Sequence, residues 1–409
     1  MQPLEFRWDG KGVYLISDHA GEFRRLYELD LASGRLTPLT DSIPWDIEDA
    51  ALSPDGKTLA FIANVDGVSE VQRLDTETRR IVGQHGLPRG VAGALVFHPK
   101  RNEFAVTISS KDSPGDIYSY DLDSKAATRW TFSETGGVDL STLPEPELIH
   151  YPTFDSVDGR PRMIPAFVWK PLPAFSGPRP VLVSIHGGPE GQVRPGFPRS
   201  SNLYLLLESG VAVIEPNVRG SSGYGKSYLL LDNAEKREDS VKDIGALLEW
   251  IGTRSDLDAS RVAVIGGSYG GYMSLATMTH YSDKLKCGVE IVGISHFGTF
   301  LRNTQQYRRH LRRAEYGDES DPKMWDFFET ISPLNHADKI RVPMLVAQGK
   351  NDPRVPYTES EQIVAKVRAN KGEVWYLLAD DEGHGFAKKP NRDYFDYATL
   401  LFLERYLLK

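Results

Sequence analysis

Ser268 stands in a pattern that could make its hydroxyl group a nucleophile. It is the serine of a Gly-x-Ser-x-Gly motif between an apolar, β-branched run at 261–265 and a run at 272–278 with a helical pattern. Such a strand–turn–helix junction lifts the hydroxyl clear of the sheet, and glycines flank it because side chains there would clash. The turn also directs backbone N–H groups at a helix start toward a developing oxyanion. We therefore predict that Ser268 is a catalytic nucleophile.

The motif alone is weak evidence, since roughly 0.1 chance matches are expected in a chain of this length. Two later residues strengthen it: Asp352 follows an apolar run that ends at Ala347, and His384 follows one that ends at Leu378. Reactive groups of a parallel sheet gather at the carboxyl ends of its strands, so the three side chains would share one rim. A serine hydroxyl needs a base, and the base needs an acceptor that holds its tautomer. We predict His384 as general acid/base and Asp352 as the orienting carboxylate.

Other carboxylates compete for the role of Asp352. An aspartate in a turn after a strand is often only a turn former. Asp380, Asp381 and Glu382 also lie near His384, but they are too close to it in sequence to approach its ring easily from behind. The chain order of serine, aspartate and histidine favours Asp352.

A histidine–glycine loop, His186-Gly187-Gly188-Pro189, follows the strand-like run at 181–185. Loops of this kind supply one oxyanion N–H group, and the residue after the nucleophile supplies the other. We predict an oxyanion hole made by the backbone amides of Gly188 and Tyr269. His186 is expected to hold the loop in place rather than to act as a second base.

The segment 217–225 follows the next strand and has glycines suited to a turn at the same rim. It could form a wall of the substrate pocket or serve only as a structural loop, and the sequence leaves both open. Arg219 and Tyr224 are the substrate-binding candidates there. Val355, in the segment after Asp352, is a further candidate.

An arginine-rich segment lies between the strands near Ile291 and Leu345, and acidic residues follow it. A solvated helix with ion pairs is the ordinary interpretation. The sharper alternative is that one arginine grips a peptide carbonyl or carboxylate group of the substrate, and Arg309 is the candidate. The arginines are Arg302, Arg308, Arg309, Arg312 and Arg313.

Residues 151–409 alternate strand-like runs with helical patterns. Residues 239–251, for example, carry apolar side chains at helical spacing. Such alternation predicts a mostly parallel, doubly wound sheet with helices on both faces. Together with the serine turn, it predicts an α/β-hydrolase fold.

Residues 1–132 contain three similar units of short strands and polar turns, such as Asp9-Gly10 and Asp55-Gly56. A period of about 40–50 residues with hairpin turns of this kind is typical of β-propeller blades. Closed propellers have 4–8 blades, so we expect a larger propeller, or a second copy of the chain, to cover the open edges. Residues 133–150 are polar, carry two close prolines, and are predicted to link the domains.

Composition narrows the function classes. The chain has 409 residues, 25% of them charged, and a net charge of −8, which argues against nucleic acid as a partner. The single cysteine, Cys287, lies in an apolar run and is expected to be a buried small residue. No apolar run approaches the length of a membrane span, and the first residues lack the pattern of a signal peptide, so a cytoplasmic location is expected. No metal-ligand spacing, phosphate loop or dinucleotide motif stands out, and no cofactor is expected.

Taken together, these motifs resemble the prolyl oligopeptidase family of serine peptidases, and within it the acylaminoacyl-peptidase-like branch. The resemblance covers roughly residues 140–409, and the blades more loosely. It rests on Glu145-Pro146-Glu147-Leu148, His186-Gly187-Gly188-Pro189, Asn217-Val218-Arg219-Gly220-Ser221, Gly266-Gly267-Ser268-Tyr269-Gly270-Gly271-Tyr272, Gly349-Lys350-Asn351-Asp352 and Gly383-His384-Gly385.

The resemblance implies a propeller stacked on an α/β-hydrolase domain and cleavage of short peptides. The short propeller departs from the family pattern and puts exclusion of larger substrates in doubt. The blades show no Glu-Glu pair of the kind that dipeptidyl-peptidase relatives use, so blocked or internal peptides are favoured over removal of dipeptides. Two rivals remain: a carboxylesterase on the same fold, and a binding module without catalysis.

Overall fold

The computed structural model describes residues 1–83 and 86–409, which form two compact units. The first unit comprises Met1–Leu143, Arg194–Pro198 and Ser222–Tyr228. The second unit comprises Pro144–Val193, Arg199–Ser221 and Leu229–Lys409. Each unit is built on its own β-structure.

Within the described residues, the first unit forms three antiparallel sheets of four consecutive strands each. The first sheet contains β1 (Gln2–Phe6), β2 (Gly12–Ser17), β3 (Arg25–Asp30) and β4 (Leu36–Pro38). The second contains β5 (Asp46–Leu52), β6 (Thr58–Val65), β7 (Val68–Asp75) and β8 (Ile81–Gly83). The third contains β9 (Val91–Phe97), β10 (Glu103–Ser110), β11 (Ser113–Asp121) and β12 (Ala126–Arg129).

The predicted aspartate–glycine turns shape these sheets. Gly10 and Gly56 adopt φ of +69° and +73°, which glycine reaches without steric cost. Strand β6 then alternates its side chains between two cores: Phe61 packs with the first sheet and Ile62 with the third. Because the two faces of the middle sheet are both apolar, neighbouring sheets stack as propeller blades do.

The described part of the second unit holds one eight-stranded sheet in the order β13-β14-β16-β15-β17-β18-β19-β20. Strands β13, β14 and β16 pair antiparallel, and all further pairs are parallel. The strands are β13 (Glu147–Val157), β14 (Arg160–Trp169), β15 (Arg179–Ile185), β16 (Ala212–Pro216), β17 (Leu257–Gly267), β18 (Cys287–Ile291), β19 (Met344–Gly349) and β20 (Val374–Ala379).

Helices connect the strands, and the apolar side of α3 is buried, as its spacing predicts. The helices are α1 (Ser200–Tyr204), α2 (Lys226–Leu229), α3 (Arg237–Gly252), α4 (Tyr269–His280), α5 (Phe297–Asn303), α6 (Gln306–Tyr316), α7 (Pro322–Ile331), α8 (Thr358–Ala369) and α9 (Lys389–Tyr406). Further helical segments of other types are Leu205–Ser209, Ala234–Lys236, Ser282–Lys284 and Pro333–Lys339. Among the helices of residues 1–83 and 86–409, none has the length and apolar character needed to cross a membrane.

The predicted fold class is confirmed: a partial propeller-like unit precedes an α/β-hydrolase unit with a mostly parallel sheet. Strand β13 begins at Glu147, inside the segment 133–150 predicted as a linker. The reason is local, because Pro144 and Pro146 lack the N–H groups of a sheet ladder and the strand starts directly after them. Cys287 is fully buried, and burial raises the pKa of its thiol to about 12.

Candidate active site

Ser268 lies on a tight turn between β17 and α4. Its backbone has φ +59° and ψ −119°, a conformation that residues other than glycine rarely adopt. Its N–H donates to the Ile291 carbonyl at 2.8 Å, which ties the turn to β18. A Cβ at Gly266 would lie 2.2 Å from the Gly270 oxygen, and one at Gly270 would lie 2.2 Å from the Ile185 oxygen. Both flanking positions therefore require glycine. The packing around the turn keeps the Ser268 backbone in its strained conformation.

His384 and Asp352 meet at the carboxyl ends of β20 and β19. The distance from His384 Nδ1 to Asp352 Oδ2 is 2.7 Å. The other carboxylate oxygen of Asp352 accepts the backbone N–H groups of Arg354 at 2.8 Å and Val355 at 3.1 Å. The Asp352 side chain is thus buried and held from two sides, and it fixes the orientation of the imidazole ring.

The competing carboxylates have other partners. Asp380 pairs with Lys350 at 2.8 Å, and Asp381 pairs with Lys388 at 2.6 Å. Glu382 accepts the backbone N–H of Lys388 at 2.9 Å. Of these three side chains and Asp352, the structure brings only Asp352 to His384.

Ser268 and His384 line one cavity of about 970 Å³. His186 and Gly187 belong to the same wall. No hydrogen bond joins the Ser268 hydroxyl to His384 among the described residues, and catalytic contacts of this kind often tighten only when substrate binds. A hydroxyl group, an imidazole ring and a glycine-rich backbone segment therefore line the same cavity.

The predicted oxyanion groups belong to two segments, the start of α4 and the loop after β15. Tyr269 is the first residue of α4, so its N–H belongs to the unpaired donors of a helix start. A Cβ at Gly187 would lie 3.2 Å from the Ser268 Cβ, which shows how closely this loop approaches the turn. Gly188 has φ +137°, and a Cβ there would lie 2.4 Å from the Glu190 nitrogen. The loop can follow this path only with glycines at both positions.

Both ring nitrogens of His186 make contacts within the protein. Its Nε2 lies 2.8 Å from the Ser221 Oγ, and its Nδ1 lies 2.9 Å from the Gly187 oxygen. Burial lowers the pKa of this imidazole, so it stays neutral at physiological pH. These contacts agree with the loop-holding role expected from the sequence.

Two of the predicted substrate-binding side chains are buried in structural contacts. Arg219 is 2% exposed and contacts Asp243 at 2.8 Å and Asp155 at 2.9 Å, with its guanidinium over the Phe154 ring. Val355 is also 2% exposed and serves Asp352 through its backbone N–H. For Arg219, these contacts favour the structural alternative that the sequence left open. For Val355, they show burial beside Asp352, and its role in substrate binding stays a prediction.

The other two candidates are placed differently. Tyr224 belongs to the first unit, where its ring packs 6.1 Å from Trp45 and 5.2 Å from Tyr228. Arg309 turns back onto its own segment and donates to the Arg302 carbonyl at 2.7 Å. Among the described residues, neither of these side chains lines the cavity that Ser268 shares with His384.

Sequence reasoning missed two groups beside the serine turn. Arg312, rather than Arg309, reaches the predicted oxyanion loop, where it donates to the Gly188 carbonyl at 2.9 Å. Glu290 is fully buried on β18, and its Oε1 accepts the Gly293 N–H. The arginine-rich segment pointed to a functional arginine but did not distinguish Arg312 from its neighbours. For Glu290, the available signal was a lone acidic residue in an apolar strand.

Burial raises the pKa of the Glu290 carboxyl to about 8, so it is protonated at neutral pH. Between its ordinary value near 4.5 and 8, the unfolded chain releases a proton that the folded chain keeps. The free energy of unfolding should therefore fall as pH rises through this window, by at most about 1.4 kcal/mol per pH unit for one proton. Glu290→Gln keeps a neutral acceptor there and should remove this part of the pH dependence.

Urea unfolding of the original chain and of Glu290→Gln at pH 4, 6 and 8 measures the effect. We expect the free energy of unfolding of the variant to rise relative to that of the original chain with each increase in pH. A difference that stays constant over this range would show that Glu290 is ionised in the folded protein.

The model of the prolyl oligopeptidase family matches residues 197–409. The chain is 29% identical over 417 aligned positions to a dipeptidyl aminopeptidase BIII of Pseudoxanthomonas mexicana, covering 98% of the chain and 58% of the relative. It is 32% identical to a dipeptidyl peptidase family member 6 of Caenorhabditis elegans, covering 74% of the chain and 43% of the relative.

A solved structure, a Mycobacterium tuberculosis puromycin-hydrolyzing peptidase, matches over 100% of the chain and 61% of its own length, with a TM-score of 0.85 at 25% identity. The chain spans about half the length of the curated relatives it matches. The family model covers more than half of the chain and includes the serine turn, Asp352 and His384. The chain therefore belongs to the prolyl oligopeptidase family.

Proposed function

We propose that this chain is a serine peptidase that works through an acyl-enzyme. The supporting observation is the 2.7 Å contact between His384 Nδ1 and Asp352 Oδ2, made at a cavity that Ser268 also lines. Because Asp352 occupies Nδ1, Nε2 of His384 is the nitrogen that can accept the Ser268 proton. Nucleophile, base and orienting carboxylate then act as one unit.

In the first half of the reaction, Ser268 Oγ adds to the carbonyl carbon of the substrate while its proton moves to His384 Nε2. The carbonyl π electrons move onto oxygen, and the N–H groups of Gly188 and Tyr269 stabilise that charge. The carbonyl then re-forms as the C–N bond breaks. His384 gives its proton to the leaving amine, and the acyl group remains on Ser268.

Water completes the cycle. It adds to the carbonyl carbon of the acyl-enzyme and gives a proton to His384 Nε2. The bond to Ser268 Oγ breaks, Oγ recovers the proton, and a carboxylic acid leaves. No metal or redox group takes part in these steps.

We propose short peptides, including those with a blocked amino terminus, as the substrate class. The absence of paired glutamates in the sequence of the blades supports N-blocked or internal peptides. A second candidate is removal of dipeptides from a free amino terminus, and the names of two relatives favour it. A carboxylesterase activity is a third outcome, since the same groups cleave esters.

The test is a panel of chromogenic substrates with the 409-residue chain. N-acyl-aminoacyl, N-blocked peptidyl and free dipeptidyl p-nitroanilides are compared with p-nitrophenyl esters of the same acyl groups. We expect anilide cleavage at kcat/KM values comparable to those for the esters, with the N-blocked compounds best.

Preference for the free dipeptidyl anilides would support the second candidate. Cleavage of esters alone would contradict the peptidase proposal. Lack of turnover of every compound, together with lack of labelling by a fluorophosphonate, would contradict serine hydrolysis and favour a binding module.

We also propose a cellular compartment and an oligomeric state for the protein. A single buried thiol suits a reducing compartment such as the cytoplasm. We propose that a second copy of the chain covers the open edge of the partial propeller, and sedimentation would detect such a dimer.

A further inference from the structure

One face of α6 contacts the loop that carries Gly188. Arg312 Nη1 donates to the Gly188 carbonyl at 2.9 Å, and the Tyr316 hydroxyl donates to the same oxygen at 3.4 Å. Arg312 Nη1 also lies 3.5 Å from Glu190 Oε2, two residues further along the loop. Arg312 and Tyr316 are four residues apart, so both project from the same face of the helix.

The same helix end also contacts Tyr269, the residue that follows Ser268. The rings of Tyr316 and Tyr269 are stacked with 6.2 Å between their centroids and 19° between their planes. The Arg237 guanidinium lies 4.8 Å from the Tyr316 centroid and 5.1 Å from that of Tyr269. Arg237 Nη2 also donates to the Glu315 carbonyl at 2.9 Å, so this contact is anchored to α6. One buried cluster thus joins the helix to the residue that follows the nucleophile.

The Gly188 loop needs an external support of this kind. A glycine at φ +137° gains no restraint from a side chain and can leave this conformation at little cost. A charge-assisted hydrogen bond to its carbonyl limits rotation of the residue whose N–H is proposed to bind the oxyanion. An oxyanion hole is effective only when its donors are oriented before the reaction begins.

We propose that Arg312 is a positioning residue for the oxyanion hole. Its hydrogen bond to the Gly188 carbonyl keeps the Gly188 N–H in the orientation that binds the oxyanion. The inference rests on the proposed function, because it assigns a role in the same reaction. Arg312 acts through the loop and touches no substrate atom. Its loss should therefore weaken stabilisation of the transition state and leave ground-state binding nearly unchanged.

The test compares Arg312→Met with Arg308→Met in the 409-residue chain. Arg308 is on the same helix, and its side chain makes no hydrogen bond or ion pair with the described residues, so it is a matched control. We expect Arg312→Met to lower kcat by about 10- to 100-fold, less than the complete loss of one oxyanion donor. KM should change less than about threefold.

Two further readouts separate positioning from general damage. A peptide aldehyde forms a tetrahedral adduct with the serine, so its Ki should rise by the same factor as kcat falls, while the Ki of a non-covalent product acid stays unchanged. Arg312→Lys retains one cationic donor and should recover part of kcat. If Arg312→Met does not fold, Arg312→Gln, which retains an amide donor, is measured in the same way.

Equal losses of kcat in Arg312→Met and Arg308→Met would overturn the inference. So would a Ki for the aldehyde that does not change. A failure of the proposed function itself looks different, because the unmodified chain would then show neither turnover nor serine labelling.

Discussion

Ser268→Ala is expected to lower kcat by at least about 10⁴-fold, because acyl transfer then has no nucleophile and only binding and oxyanion contacts remain. The turn should persist, since alanine is smaller than serine and keeps the N–H that donates to Ile291. Initial rates with the best p-nitroanilide of the panel measure the loss. Labelling by a fluorophosphonate should disappear at the same time.

Ser274→Ala is the matched control for this substitution. Ser274 lies on helix α4, which begins directly after Ser268. It is fully buried and has a hydroxyl without a hydrogen-bond partner in the described structure. Its replacement should leave kcat within about twofold, since the side chain lies outside the cavity of Ser268. Turnover by Ser268→Ala at more than about one per cent of the original rate would contradict the assignment of the nucleophile.

Asp352→Asn is expected to lower kcat by about 10⁴-fold at neutral pH, as loss of the orienting carboxylate does in serine peptidases. The reason lies in the contacts of Asp352. Its Oδ1 accepts the N–H groups of Arg354 and Val355, so the oxygen of an asparagine would stay there. The amide nitrogen would then face His384 Nδ1 and select the tautomer protonated on Nε2. In that tautomer, His384 cannot accept the proton of Ser268.

Asp380→Asn serves as the control, since Asp380 is exposed and its carboxylate pairs with Lys350. That variant should retain kcat within about twofold, because a surface ion pair contributes little. Steady-state rates and thermal melting of both variants check the expectation. A loss of less than about tenfold in Asp352→Asn, with the fold intact, would assign the orienting role to another group.

The candidate catalytic residues could be proposed from the sequence because their signals are local. Ser268 needs glycines on both sides of a tight turn, and Asp352 and His384 directly follow apolar strands. In a parallel sheet, the ends of such strands meet at one edge whatever the details of packing. The blades could also be predicted from the sequence, since aspartate–glycine turns such as Asp9-Gly10 recur at a regular spacing.

The supporting residues depended on the tertiary structure. Five arginines between Arg302 and Arg313 look alike in sequence, yet only the direction of α6 decides that Arg312 reaches Gly188 while Arg309 turns to a carbonyl of its own segment. Arg219 could have faced a substrate, but its position between Asp243 and Asp155 makes it structural.

Glu290 shows the physical reason most clearly. Strand periodicity places its side chain on one face of β18, but the pKa of the carboxyl depends on how much water that face retains. A Cβ at Gly293 would lie 2.4 Å from Glu290 Oε1, and one at Gly271 would lie 3.2 Å from it. Local spacing therefore decided which groups could react, whereas burial, charge and orientation came only from elements that are distant in the chain and packed together.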